Sequence, residues 1–222
     1  MREKIIESFK QPLYKKNLLD FFIGSIFMFF PIINFISLGY IAEKLKSGIT
    51  LERKNIRWDE NFKNLFLSGI KLFILIIGYL TIPSLFLLLG VFLISIPSGG
   101  EILSLFLFRG LILVMVSTII FLIAIYFLLF GICISLEENS FKKGFDLKEI
   151  IEKIFLIPKE YTIIYVLVVG ILMSSIVILT LLLNLVTGLL FSGFLLFYDL
   201  LVISNLLIKF YPRKSVEVRM LF

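Results

Sequence analysis

Residues 18–42 read LLDFFIGSIFMFFPIINFISLGYIA, an apolar run of 25 residues with one acid near its start, Asp20, and a proline in its middle, Pro31. A run that long and that apolar has no place on the surface of a water-soluble domain, and more such runs come after it. The chain is therefore read as a polytopic membrane protein. As one straight helix the stretch is about 37 Å long, enough for a ~30 Å hydrocarbon core. As a re-entrant hairpin bent at Pro31-Ile32-Ile33-Asn34, each arm reaches only about 18 Å. Length favours the span; the distribution of charge along the chain favours the hairpin.

Composition supports the class. Of 222 residues, 59% are hydrophobic and 17% charged, against about 45–50% and about 25% in soluble domains, and the mean hydropathy is +1.06. A chain of this size cannot hide so many Leu, Ile and Phe without lipid as a solvent. One integral membrane domain over 1–222 is expected. The first 17 residues carry Arg2, Lys4, Lys10, Lys15 and Lys16 but no small-residue cleavage site, so the first apolar segment is expected to be retained. Cys133 stands alone, which excludes an intramolecular disulfide and a thiolate metal cluster, and the absence of histidine removes the commonest general base and metal ligand. No metal or cofactor is expected, and the chain is not expected to be an enzyme. The net charge of +6 does not make it a nucleic-acid binder. Its basic residues flank apolar runs, where they orient the chain and gain about 1 kcal/mol each near an anionic leaflet.

In chain order, residues 1–17 read as an interfacial helix with Ile5, Ile6 and Phe9 on one side, stopped by Pro12, and Asn17 is the expected N-cap of the first apolar helix. After Ala42 comes a polar stretch with Lys44, Lys46, Arg53, Lys54, Arg57 and Lys63. Trp58, Phe62, Leu65 and Phe66 suggest a second interfacial helix leading into an apolar run that ends near Ile96. Pro97-Ser98-Gly99-Gly100 is the clearest turn. Ile102 to Leu136 is the next run. The charged segment from Glu137 to Glu160 contains a third amphipathic stripe, Ile150, Ile151, Ile154 and Phe155, stopped at Pro158. Tyr161 to Leu182 crosses, a turn surrounds Asn184, and Leu189 to Tyr211 crosses last. Two of these runs exceed one crossing, and Lys71 and Pro83 mark where the first has room to bend or tilt.

The charge count arbitrates between span and hairpin. With a hairpin before four crossings, the flanks hold 5, 6, 5 and 4 basic residues on one side and none on the other; with five crossings the split is 15 to 5. Lys/Arg asymmetry in short loops governs orientation, so the hairpin with both termini cytoplasmic is the preferred reading. A weak repeat fits it: Glu3-Lys4-Ile5-Ile6-Glu7 is similar to Lys148-Glu149-Ile150-Ile151-Glu152, each succeeded by a proline stop and an apolar hairpin. Repeat units over 1–48, 58–140 and 146–212 would account for most of the chain.

Pro31-Ile32-Ile33-Asn34-Phe35 with Gly39-Tyr40, then Trp58-Asp59 and Gly69-Ile70-Lys71-Leu72, resembles a mostly archaeal membrane family catalogued as domain of unknown function 4013. Asn139-Ser140-Phe141, Gly144-Phe145, Glu149-Ile150 and the final Phe197-Tyr198 through Tyr211 resemble the same family, so the likeness covers nearly the whole chain. The resemblance implies an architecture and an archaeal plasma membrane; it implies no catalytic or binding site.

Asp199 is the most informative candidate for chemistry. It lies about midway along the last run, where an uncompensated charge costs ~2.5–3.5 kcal/mol, so it requires a partner, water or a proton. Arg109 is the candidate partner: the depth difference between the two is roughly 4.5 Å, within a guanidinium's reach. The pair reads either as a structural tie between helices or as a relay for protons or cations. Pro31, Asn34 and Gly39 are assigned to the hairpin, and Asp20 to the interface. Asn205 is expected to bond across helices. Ser174, Ser175 and Gly170 read as a packing face, and the 25 phenylalanines as lipid-facing bulk. The expected fold is all-α: a polytopic bundle of four full crossings, a re-entrant or kinked N-terminal hairpin and amphipathic cytoplasmic helices. The expected function is a non-enzymatic scaffold or accessory subunit, with a small-solute or ion transporter or channel as the alternative. The expected partners are membrane lipids and a membrane protein, in the plasma membrane.

Overall fold

The computed structural model describes residues 1–51, Ile56, Trp58, 62–95, 101–182 and 188–212. Among these the chain is α-helical with short 3₁₀ turns and has no strand. Among the described residues eight α-helices succeed one another: α1 Arg2–Lys10, α2 Leu18–Phe29, α3 Asn34–Thr50, α4 Phe62–Ser95, α5 Glu101–Glu137, α6 Leu147–Leu156, α7 Pro158–Leu182 and α8 Gly188–Phe210. Four of them contain segments long and apolar enough to cross a membrane: Phe62–Ser95, Phe106–Glu137, Pro158–Leu181 and Phe191–Phe210. At 1.5 Å per residue, α4 and α5 are each over about 50 Å long, well beyond a ~30 Å core, whereas α7 and α8 are close to one crossing.

The opening stretch is not one straight helix. α2 ends where Phe30 turns extended, and the amide of Asn34 donates back to the carbonyl of Phe30 at 2.8 Å, closing a tight turn with Pro31 exposed at its tip. α3 then returns antiparallel to α2. Its Ser37 hydroxyl donates to the carbonyl of Gly24 at 2.8 Å and its Tyr40 hydroxyl to the Asp20 carboxylate at 3.0 Å. Proline favours this break because it supplies no amide for the helical ladder and disfavours a helical residue before it, although α4 runs on through Pro83. Asn17 does stand at the start of α2, but its side chain does not cap the helix; its amide donates to the carbonyl of Gln11 at 2.7 Å instead.

The chain forms two compact units. The first holds Met1–Phe73 and Leu129–Phe222, with the α2–α3 hairpin, the first turns of α4, the end of α5, and α6 to α8. Here α8 is the central post. α2 runs antiparallel beside it, Phe21 lying against Phe197, and Gly24 makes room for the Phe197 ring, which a Cβ there would meet at 2.0 Å. α1 covers the other end of α8. Asn205 donates across to the carbonyl of Ser8 at 3.4 Å, Tyr198 to that of Phe9 at 3.0 Å, and Lys209 pairs with Glu7 at 2.9 Å. Ser8 is the buried residue of α1, Ile5 and Phe9 are half-buried and Ile6 is exposed, so this helix docks through Ser8 with only part of its apolar stripe.

The expected interfacial helix led by Trp58 is not a separate element. Trp58 stands in a turn before α4, and Phe62, Leu65 and Phe66 belong to α4 itself, which continues unbroken past Lys71. α4 and α3 touch backbone to backbone: a Cβ on Gly39 would lie 1.7 Å from the carbonyl oxygen of Leu65, and one on Gly69 equally close to that of Phe35.

The second unit, Ile74–Leu128, pairs the outer parts of α4 and α5. The Ser117 hydroxyl donates to the carbonyl of Pro83 at 2.7 Å, and Gly90 and Gly110 bring the two backbones together. Its outward side chains, Leu88, Phe92, Phe108 and Met115 among them, are exposed apolar groups suited to lipid. The expected turn at Pro97–Gly100 and the one around Asn184 lie outside the described residues.

Candidate functional site

Three polar clusters of the first unit each tie two or more elements together. The innermost is Asp199. It sits eight residues along the apolar span that starts at Phe191, about 12 Å deep by helical rise, and is buried. Its carboxylate accepts the hydroxyl of Ser175 from α7, a neutral partner that the residue pattern placed only in a packing face. Ser174 bonds within its own helix, and Gly170 faces open space. Arg109, the candidate partner, is an exposed residue of the second unit, whereas Asp199 belongs to the first.

The second site is at Asp20. Both oxygens of its carboxylate are engaged: Oδ2 by Tyr40 at 3.0 Å and Oδ1 by the indole N–H of Trp58 at 2.8 Å. The Tyr40 and Trp58 rings stack, their centroids 4.3 Å apart and their planes within 5°. Phe197 fills the space beside them, touching Phe21, Tyr40 and Trp58. Elsewhere along α3, Ser68 donates to Glu43 at 2.9 Å, joining α4 to α3. Lys44 is partly buried, and burial pushes its ammonium down to about 8, opposed by the charge of Asp20. Asp20 thus clasps the hairpin to the Trp58 turn. Of the hairpin residues, Gly39 makes the close contact with α4, while the side-chain oxygen of Asn34 is buried without a hydrogen-bond partner.

The third site lies at the end of α5. Glu137 accepts the Tyr211 hydroxyl at 2.7 Å and pairs with Lys153 of α6 at 3.6 Å. Lys153, almost fully buried, also donates to the carbonyl of Pro212 at 3.4 Å and lies over the Tyr211 ring at 5.3 Å. Burial pushes the Tyr211 phenol above its ordinary range. Phe130 packs against both Tyr161 and Tyr211.

Sequence reasoning missed Ser175, Tyr40, Trp58, Glu137, Lys153 and Tyr211 as partners. Tyr40 and Trp58 were visible as part of a family-like pattern, but nothing in their spacing said that they stack. Several phenylalanines read as lipid-facing bulk are also ring partners: Phe27 meets Trp58 and Phe62, and Phe35 meets Phe66 and Phe73, with Phe62 and Phe73 still exposed.

Crossing helices joined at their ends and midpoints by paired polar side chains define an all-helical integral membrane protein. The chain belongs to the family described as a protein of unknown function, DUF4013, whose model matches residues 22–187. That match takes in the hairpin from Phe22, the Trp58 turn and the Glu137–Lys153 pair, and ends before Asp199. No curated protein matches the chain, and no solved structure does.

Proposed function

We propose that the protein is a non-enzymatic membrane scaffold or accessory subunit. The reading is supported chiefly by the use to which its acids are put. Asp20, Glu137 and Asp199 each accept hydrogen bonds from groups on other elements, so these carboxylates act as ties between segments. A buried carboxylate so occupied stabilises an arrangement of helices and is a poor general acid or base. In this reading the hairpin re-enters from the cytoplasmic face, both termini are cytoplasmic, and the protein resides in the plasma membrane. Its basic flanks then bind anionic lipid and a membrane-protein partner.

Native mass spectrometry of the protein extracted in mild detergent from its own membrane tests this. A reproducible heteromeric mass is the expected result. A lone protomer or homo-oligomer carrying a defined small solute would overturn the reading in favour of transport. The transport reading has one observation in its favour, the depth of Asp199 within α8. Under it, Asp199→Asn abolishes solute or proton flux in proteoliposomes while the melting temperature holds. Under the scaffold reading, the same change weakens the bond to Ser175 and lowers the melting temperature.

A further inference from the structure

Three membrane helices reach their ends around α6. Lys153 of α6 holds Glu137, the last residue of α5, and the carbonyl of Pro212, just beyond the end of α8 at Phe210. α7 starts at Pro158, directly after α6. α6 is therefore fixed at the height where the apolar spans leave the hydrocarbon. Its inner face, Ile150, Lys153 and Ile154, is buried against these helix ends. A second apolar row remains. Leu147, Ile151 and Phe155 recur at every fourth residue on one side of the helix and are 52%, 38% and 74% exposed. The preceding 3₁₀ segment extends the row with Phe141 and Phe145, themselves exposed and in edge-to-face contact at 5.3 Å.

We propose that this row is a lipid footing: Phe141, Phe145, Leu147, Ile151 and Phe155 insert into the boundary between headgroups and acyl chains of the bilayer that the protein crosses. Continuity carries the assignment, since the row begins where α5 ends and finishes where α7 enters the apolar layer. On the flank of the row away from the buried Ile150 and Ile154, Lys148 and Glu152 are exposed, which gives the helix a polar edge beside its apolar one. Charge does not drive the insertion. From Glu138 to Glu160 there are five lysines and five acids, and Lys143 is occupied by Asp146 and Glu149 at 3.3 and 2.9 Å. The footing is thus read by apolar packing and is indifferent to anionic headgroups. It does not rest on the scaffold reading, because a transporter would carry the same footing.

The test uses the full chain in a Cys133→Ala background, with single cysteines as Ile151→Cys, Phe155→Cys and Glu152→Cys, each carrying a nitroxide. The proteins are reconstituted in vesicles of phosphatidylcholine alone and of phosphatidylcholine with phosphatidylglycerol. Power-saturation spectra compare collisions with oxygen and with a water-soluble nickel chelate. Labels at 151 and 155 are expected to favour oxygen, at depths of about 5–10 Å, while the label at 152 favours nickel, equally in both vesicles. Nickel access at 155 would overturn the proposal. So would shielding of 155 from both reagents, which would indicate a second copy on this face, and so would insertion that occurs only with phosphatidylglycerol. Unchanged melting temperatures of the labelled proteins establish that each is folded.

Discussion

At Asp20 a single carboxylate accepts from two donors, the Tyr40 hydroxyl and the Trp58 indole. Asp20→Ala removes the acceptor of both in a half-buried site, at a cost of ~1–3 kcal/mol. The expected outcome is a lower melting temperature together with a red shift in tryptophan emission, which reports this site alone because Trp58 is the sole tryptophan. Unchanged emission and melting would show that the clasp does not form. Lys44 makes a pH-dependent prediction. Its folded-state ammonium titrates at about 8 rather than 10.5, so between those values the unfolded chain holds a proton that the folded chain has lost. Stability therefore climbs as pH rises from about 8 to 10, and the destabilisation is fully present below 8. Above 10, Tyr211 reverses the trend, because its phenol ionises only in the unfolded chain. Lys44→Met should flatten the climb in a melting series across that window. At this scale the sequence was half legible. The expense of a charge at Asp199 is visible from position alone, whereas its bond to Ser175 depends on the register of α7 against α8, which no local pattern encodes.

At the scale of elements, the α3–α4 crossing depends on the absence of two side chains. Gly39→Ala places a methyl group 1.7 Å from the Leu65 carbonyl oxygen, with backbone rather than a mobile side chain in the way. It should cost at least the ~1–3 kcal/mol typical of overpacking. Gly170→Ala, which meets nothing, should be neutral or stabilise α7 by up to ~1 kcal/mol. Equal melting temperatures for the two variants would refute the packing described. The Glu137–Lys153 pair is a second element-level joint. Lys153→Met strands a buried carboxylate and should destabilise by ~3–5 kcal/mol, and adding Glu137→Gln, which still accepts from Tyr211, should restore most of that loss. Element bounds were legible where punctuation is strong: α6 and α7 divide at Pro158 and the first run divides at Pro31, because proline acts locally. The Trp58 segment was misread because Phe62, Leu65 and Phe66, which give it its amphipathic spacing, belong to α4, while Trp58 is engaged in stacking on Tyr40.

For the molecule as a whole, hydropathy made the membrane class and the four crossing helices plain, since lipid acts on composition over some twenty residues and not on any one contact. Sidedness rests on the charge count. Under the proposed orientation, Ser47→Cys in a Cys133→Ala background reacts with a membrane-impermeant maleimide only when the cytoplasmic face is open, and reaction from outside would sink that orientation. The division into two units lay beyond sequence, because the boundaries at Phe73 and Leu129 fall inside continuous helices. The docking of α1 and α2 along α8 bears on how the chain is made. Ser8 meets Asn205, and Phe9 meets Tyr198, across separations of 197 and 189 residues. The ribosome releases the first hairpin well before its central post. While α4 to α7 are made, α2 and α3 have therefore to stand without that post, with α4 alone packed against them. A nascent chain arrested before Gly188 would leave Phe21, Gly24 and Ser8 open to any neighbouring helix, a substrate for membrane quality control until α8 arrives.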